Sequence, residues 1–268
     1  QSIIRTFDYD VFYGGKATLN VWNPKVDNQS DFSLAQLWVT TESFRDWLAA
    51  GWTADNYNTT GCYNLDCPGF VQTNRCTILG TFLRPVSVYG GQQYAVDIEI
   101  FKDKTTGNWW VRLQDADMGY WPKEIAPSLA EGATLIDFGG EVSVVYTSRA
   151  HPSTEMGSGH FPYEGFKKSS FFKNVQVLDS FYEYRNPRYI KAIKDKEGCY
   201  GLQVGKNRDG PWGLFFFFGG PGTPSEKCPC VPTVEAFSGM GRSRMGLHFY
   251  RGKMLAGSGQ EPAITEER

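Results

Sequence analysis

The stretch Tyr94-Ala95-Val96-Asp97-Ile98-Glu99-Ile100-Phe101-Lys102-Asp103-Lys104-Thr105-Thr106-Gly107-Asn108-Trp109-Trp110-Val111-Arg112-Leu113-Gln114 decides the fold class. Tyr94, Val96, Ile98 and Ile100 share one side of an extended chain. After the turn Lys104-Thr105-Thr106-Gly107, Trp109, Val111 and Leu113 alternate with Trp110, Arg112 and Gln114. A period of two on both sides of a Gly-containing turn specifies a β-hairpin.

The same alternation recurs outward in both directions. Ala17, Leu19 and Val21 share a face within Lys16 to Trp22, and further strands are expected at Phe32 to Val39, Gly69 to Gln72, Thr77 to Pro85, Thr134 to Tyr146, Phe172 to Asp179, Tyr200 to Val204 and Trp212 to Phe218. Short helices are expected only around Ser43 to Ala50 and Pro122 to Leu129. Strand follows strand without intervening helical patterns of about 10 to 15 residues, which argues for an all-β antiparallel sandwich or barrel. Composition agrees. Aromatic residues make up 15% of the 268 residues and Gly numbers 30, a mixture suited to twisted strands and tight turns.

No long linker interrupts residues 1–230, and no repeat of fixed period is visible. The stretch Val231 to Arg268 intersperses Gly, Ser, Met and Arg and loses periodicity, so it reads as a poorly ordered tail on one domain. The formal charge of −2 carries no block of one sign, which disfavours a nucleic-acid backbone or an anionic membrane as partner. No run of about 18 apolar residues is present to span a bilayer. The chain does not open on a basic segment followed by an apolar one, a start expected of a mature secreted protein.

Six cysteines occur, at Cys62, Cys67, Cys76, Cys199, Cys228 and Cys230, and two glycosylation sequons place acceptors at Asn28 and Asn58. Both features suit the secretory route, because cytosolic thiols stay reduced. The thiols of Cys228-Pro229-Cys230 are separated by one residue, against about two to four in zinc sites, and no second pair matches them, so no metal and no other cofactor is expected. His151 and His160 join no metal motif. Gly157-Ser158-Gly159 lacks the spacing of a nucleophile elbow. His160 is expected to hydrogen-bond within a turn. The run Phe215 to Phe218 reads as a strand buried on both sides rather than a carbohydrate or lipid face.

Six blocks appear in order: Ala17-Thr18-Leu19-Asn20-Val21-Trp22-Asn23-Pro24, Thr60-Gly61-Cys62-Tyr63-Asn64-Leu65-Asp66-Cys67-Pro68-Gly69-Phe70-Val71-Gln72, Gly119-Tyr120-Trp121-Pro122, Phe138-Gly139-Gly140-Glu141-Val142, Met156-Gly157-Ser158-Gly159-His160-Phe161-Pro162 and Gly219-Gly220-Pro221-Gly222. Together they resemble the neprosin family of plant glutamic peptidases across nearly all of residues 1–230. The resemblance implies a β-sandwich of two packed antiparallel sheets, secretion with a propeptide, and cleavage of proline-containing peptides at acidic pH, with no nucleic acid or membrane partner and a monomeric state.

The family's Gly-Gly-Glu stretch places one catalytic glutamate at Glu141. The flanking glycines of a strand there let a substrate approach the backbone. The partner glutamate belongs to a Glu-Ala-Gly-Trp stretch, and the corresponding residues here are Leu48-Ala49-Ala50-Gly51-Trp52, with Ala49 in the glutamate's place and a shortened segment around it. Glu42 is the nearby carboxylate considered as a substitute, beside Asp46. Two carboxylates divide the acid and base roles of peptide hydrolysis when their environments separate their pKa values. With one of them absent, little activity is expected. The alternative is a catalytically inactive relative that keeps the cleft as a binding or structural surface, and a third reading is a glycoside hydrolase.

The short spacing of Cys62 and Cys67 across a Gly, Asn and Pro-rich turn brings their Cα atoms within bonding reach. Cys199 is expected to pair with Cys228 or Cys230. The resemblance implies the same two links.

Overall fold

The computed structural model describes residues 1–8, 10–27, 31–55, 69–77, 79–80, 82–144, 153–222 and, through the backbone, 244–253. Among the described residues fifteen strands are formed: β1 (Ser2–Thr6), β2 (Gly14–Asn20), β3 (Phe32–Thr40), β4 (Asp46–Asp55), β5 (Val71–Gln72), β6 (Ala95–Lys102), β7 (Trp109–Leu113), β8 (Ala116–Trp121), β9 (Leu135–Ser143), β10 (Ser170–Leu178), β11 (Tyr184–Arg185), β12 (Ile190–Lys194), β13 (Gly201–Val204), β14 (Phe216–Gly219) and β15 (Arg244–Lys253). Six lie in one antiparallel sheet in the order β12-β1-β9-β3-β4-β15. Eight follow one another in the second as β13-β14-β10-β2-β6-β7-β8-β5, and β11 joins that sheet against β10.

Alternation along each strand sorts one set of side chains into the space between the sheets. From the six-stranded sheet come Ile4, Ala35, Leu37, Val39, Leu48, Ala50, Trp52, Ile136 and Phe138. The second sheet answers with Ala17, Leu19, Ile98, Ile100, Val111, Phe172, Phe216 and Phe218. Phe138 meets Phe172 edge-on at 6.4 Å, and Phe172 stacks on Phe216 at 5.1 Å. The two layers approach so closely that a Cβ on Gly140 would lie 2.6 Å from the Phe218 ring. Trp52 also crosses between layers, donating from Nε1 to the Asn20 carbonyl at 3.0 Å.

The expected hairpin is β6-β7, paired from Ile98↔Leu113 to Lys102↔Trp109. Neither expected helix is an α-helix. Ser43 to Ala50 is no helix: Asp46–Asp55 is a strand paired along its length with β3, from Thr40↔Trp47 to Phe32↔Asp55. Its residues 47–54 are buried or nearly so on both faces, which erases the polar alternation that marks a half-buried strand. Pro122 to Leu129 forms two 3-10 turns, Lys123–Ile125 and Pro127–Leu129, with prolines that suit helical first turns but break continuity. The stretch beyond residue 230 contains β15, which adds to β4 from Arg244↔Asp55 to Lys253↔Asp46. Met245, Leu247 and Phe249 alternate there with Arg244, Gly246 and His248, a period of two that the surrounding Gly and Ser obscure.

The described part of 77–85 is turn and loop. The run Phe215 to Phe218 alternates instead of being buried on both sides. Phe216 and Phe218 enter the core, whereas Phe215 and Phe217 point the other way into a ring cluster around Trp212. Asn28, Asn58, Cys62, Cys67, Cys228 and Cys230 lie outside the described residues, so the sequons and the partners in both expected links lie there too. Cys199 is buried, and Cys76 is an exposed free thiol. Among the described residues no helix is long and apolar enough to cross a membrane.

Candidate active site

The face of the six-stranded sheet that turns away from the core carries the alternate residues of its strands. Register sets their neighbours. Glu141 of β9 lies opposite Leu34 of β3, which lies opposite Thr53 of β4. Along β9 on the same side come Gly139, opposite Ile3 and Gln36, and Asp137, opposite Arg5 and Trp38. Ile3, Arg5, Leu34, Gln36, Trp38, Asp137 and Glu141, with Gln1, Phe32, Thr40, Phe44 and Trp47, line a cleft of about 410 Å³.

Glu141 accepts a hydrogen bond on Oε2 from the Gln1 side-chain amide at 3.1 Å. Burial pushes its carboxyl above the ordinary value of 4.5, and the Gln1 side-chain amide offsets this only in part. A glutamate so placed holds its proton to higher pH than a solvated one and exchanges it more readily near neutrality.

Asp137 is committed to a different partner. Arg5 Nε reaches Oδ1 at 2.9 Å and Arg5 Nη2 reaches Oδ2 at 2.6 Å, a two-point fork. Burial works against the Arg5 charge, but the bond and charge of Asp137 outweigh it and hold the guanidinium above its usual range. The Phe44 ring lies 4.9 Å from the guanidinium carbon. Between the two acidic positions sits Gln36, 1% exposed, whose Nε2 has no hydrogen-bond partner. An unpaired buried amide is costly.

Gln36 lies across Gly51. A Cβ at Gly51 would come 2.7 Å from Gln36 Cγ and 2.1 Å from the Ala35 carbonyl oxygen. Gly51→Ala should therefore destabilise the fold by about 3 kcal/mol, the upper range for overpacking, because backbone as well as side chain must move. Chemical denaturation measures this, and an unchanged midpoint would contradict the close packing.

Ala49, which the resemblance sets against the family's second glutamate, is also on the cleft face but 0% exposed. Trp38 and Trp47 pack over it. Glu42 is exposed in the turn between β3 and β4, where its backbone N–H donates to Thr134 Oγ1 at 3.0 Å, and it does not line the cleft. The fold thus brings Glu141 into a cleft and brings neither Glu42 nor position 49 beside it. Arg5, Asp137 and Gln36 are the cleft residues that sequence reading passed over. The available signal was a charge inside an apolar run: Ile3-Ile4-Arg5 and Leu135-Ile136-Asp137-Phe138.

His160 behaves as expected of a turn residue, its N–H donating to Ser158 Oγ at 3.2 Å, with Nδ1 3.1 Å from Glu164. Among the described residues no group of His, Cys, Asp or Glu is arranged to hold a metal ion.

Among solved structures the chain is similar to a Scytalido-glutamic peptidase with a peptide-based transition-state analogue, at 12% identity over 81% of this chain and 95% of that one, with a TM-score of 0.44. It is likewise similar to SCP-B, a member of the Eqolisin family of peptidases in a complex with the tripeptide Ala-Ile-His, at 12% identity over 81% and 94% of the two chains, with a TM-score of 0.43. The sequence profile described as Neprosin matches residues 38–221, well over half of the chain. This chain belongs to the neprosin family.

Proposed function

We propose that the chain binds peptides along the outer face of the six-stranded sheet and hydrolyses them slowly, with Glu141 as its acid–base residue. The observation that carries this reading is the position of Glu141: a partly buried carboxyl with a raised pKa, lining a cleft of about 410 Å³. The ionised carboxylate takes a proton from water as the water oxygen bonds to the peptide carbonyl carbon. The resulting carboxyl then gives that proton to the leaving nitrogen as the carbon–nitrogen bond breaks. A single carboxylate performing both transfers in turn is a slow arrangement, since no second acid stabilises the negative oxygen formed in between.

Family membership supports, as further parts of this proposal, cleavage beside proline, an acidic working range and secretion. A disulfide at Cys199 supports the secretory route. The second reading is an inactive peptide-binding relative, favoured by the tryptophan-covered alanine at position 49.

The deciding measurement is mass-spectrometric detection of products from a proline-containing peptide between pH 3 and 7. The expected rate exceeds that of the bare peptide and rises with pH through a value above 4.5, because the base form of Glu141 performs the first transfer. Peptide binding with no product at any pH would establish the second reading.

A further inference from the structure

The end of the cleft away from Glu141 is built differently from the rest. Arg5 and Asp137 form a pair in which the two charges are unequally placed: the Arg5 side chain is 25% exposed and the Asp137 side chain 7%. The carboxylate lies beneath and the guanidinium faces the cleft. Asp137 takes bonds from Nε and Nη2, which leaves Nη1 with no partner among the described residues. The fork and the Phe44 ring fix the plane of the guanidinium, so its free edge is held in place before any ligand arrives. Pairs of this kind contribute little to stability compared with apolar residues of the same volume. A purely structural role does not explain why the cation is the member left facing the cleft.

We propose that Arg5 is a carboxylate-binding subsite, which makes the preferred ligand a peptide with an anionic group at a fixed distance from the bond facing Glu141. The subsite rests on the reading of this cleft as a peptide-binding surface. Four residues of β9 separate Asp137 from Glu141, about 13 Å at the rise of an extended strand, and Arg5 lies directly across from Asp137. An extended peptide covers that distance in about four residues. The anionic group is either a free C-terminal carboxylate or an acidic side chain.

The test uses N-acetylated hexapeptides whose binding to the Glu141→Gln protein is followed by calorimetry. One arm compares a free C-terminal carboxylate with the C-terminal amide. The other moves a single aspartate along the amide peptide. The subsite predicts at least tenfold tighter binding of one acidic ligand than of the neutral amide, with the first arm reporting a chain terminus and the second a side chain at one position. The preference should vanish in Arg5→Met/Asp137→Leu, which removes the pair as a unit and leaves no buried charge behind. A thermal melt confirms that this variant folds.

Equal binding of acidic and neutral peptides, persistence of the preference in the double variant, or no peptide binding at all would each overturn the subsite. Cleavage by the unaltered chain without any acidic preference sinks the subsite and leaves the hydrolytic reading standing. A preference without cleavage does the reverse.

Discussion

Replacing Glu141 with glutamine is expected to lower peptide cleavage at least about a hundredfold, the scale of a lost acid–base group, and to raise the melting temperature at neutral pH. The two effects have one origin. Burial raises the carboxyl pKa in the folded chain above 4.5, so the fold prefers the protonated form. Below the unfolded value both states are protonated and the burial of a charge has no penalty. As pH rises from there through the folded value, the unfolded state releases its proton first, and stability falls until both states are ionised. Glutamine keeps the shape without the charge. The variant should match the parent in stability at low pH and exceed it at pH 7. Melting curves at both pH values, alongside the cleavage assay, test the pair of claims. Undiminished cleavage would remove Glu141 from the chemistry, and a variant less stable than the parent at pH 7 would show that the Gln1 amide contact outweighs the burial penalty.

Ala49→Glu, at the position that the resemblance sets against the family's second glutamate, is expected to destabilise the chain by about 3 kcal/mol and to gain no cleavage. Ala49 is fully covered by Trp38 and Trp47, so a carboxylate there is a buried charge without a partner. Its register is also wrong for shared chemistry. Glu141 aligns with Leu34 and then Thr53, four residues along β4 from Ala49. That offset is about 13 Å along the strand and two strand spacings of about 4.8 Å across, far beyond the reach of one water molecule. The short turn at 41–45 fixes this register, since Thr40 already pairs with Trp47. Lengthening the turn by four residues would slide β4 until position 49 faced Leu34. The glutamate is then expected to help only in company with that insertion. Activity gained from the point substitution alone, in the peptide assay, would refute the observed register.

The layered all-β architecture was legible because most of its strands have one face in the core and one in solvent, which writes a period of two into the chain. Elements shielded on both sides escaped. β4 lies between β3 and β15 with both faces buried, and its Trp47-Leu48-Ala49-Ala50 stretch reads like helix for want of polar residues. β1 is five residues long, hemmed between β9 and β12, and too short to show a period. The site divided the same way. Glu141 was singled out through the Gly-Gly-Glu stretch that carries the family resemblance, whereas Arg5 and Asp137 are brought together across 132 residues of chain by strand pairing alone. Nothing in either local sequence names the other.

The placement of β1 has a consequence for how the protein is made. This early strand sits between β9 and β12, whose residues follow it by some 130 to 190 positions. A ribosome adding about 5 to 20 residues each second leaves Ile3 and Ile4 waiting for roughly 10 to 40 seconds before their last neighbour is synthesised. β4 waits similarly for β15. During that interval two apolar strands have unpaired backbone edges, and loop closure over such separations is intrinsically slow. The nascent chain therefore depends on being shielded from other chains until late in its synthesis, and its yield should respond to chaperone supply more than to its final stability.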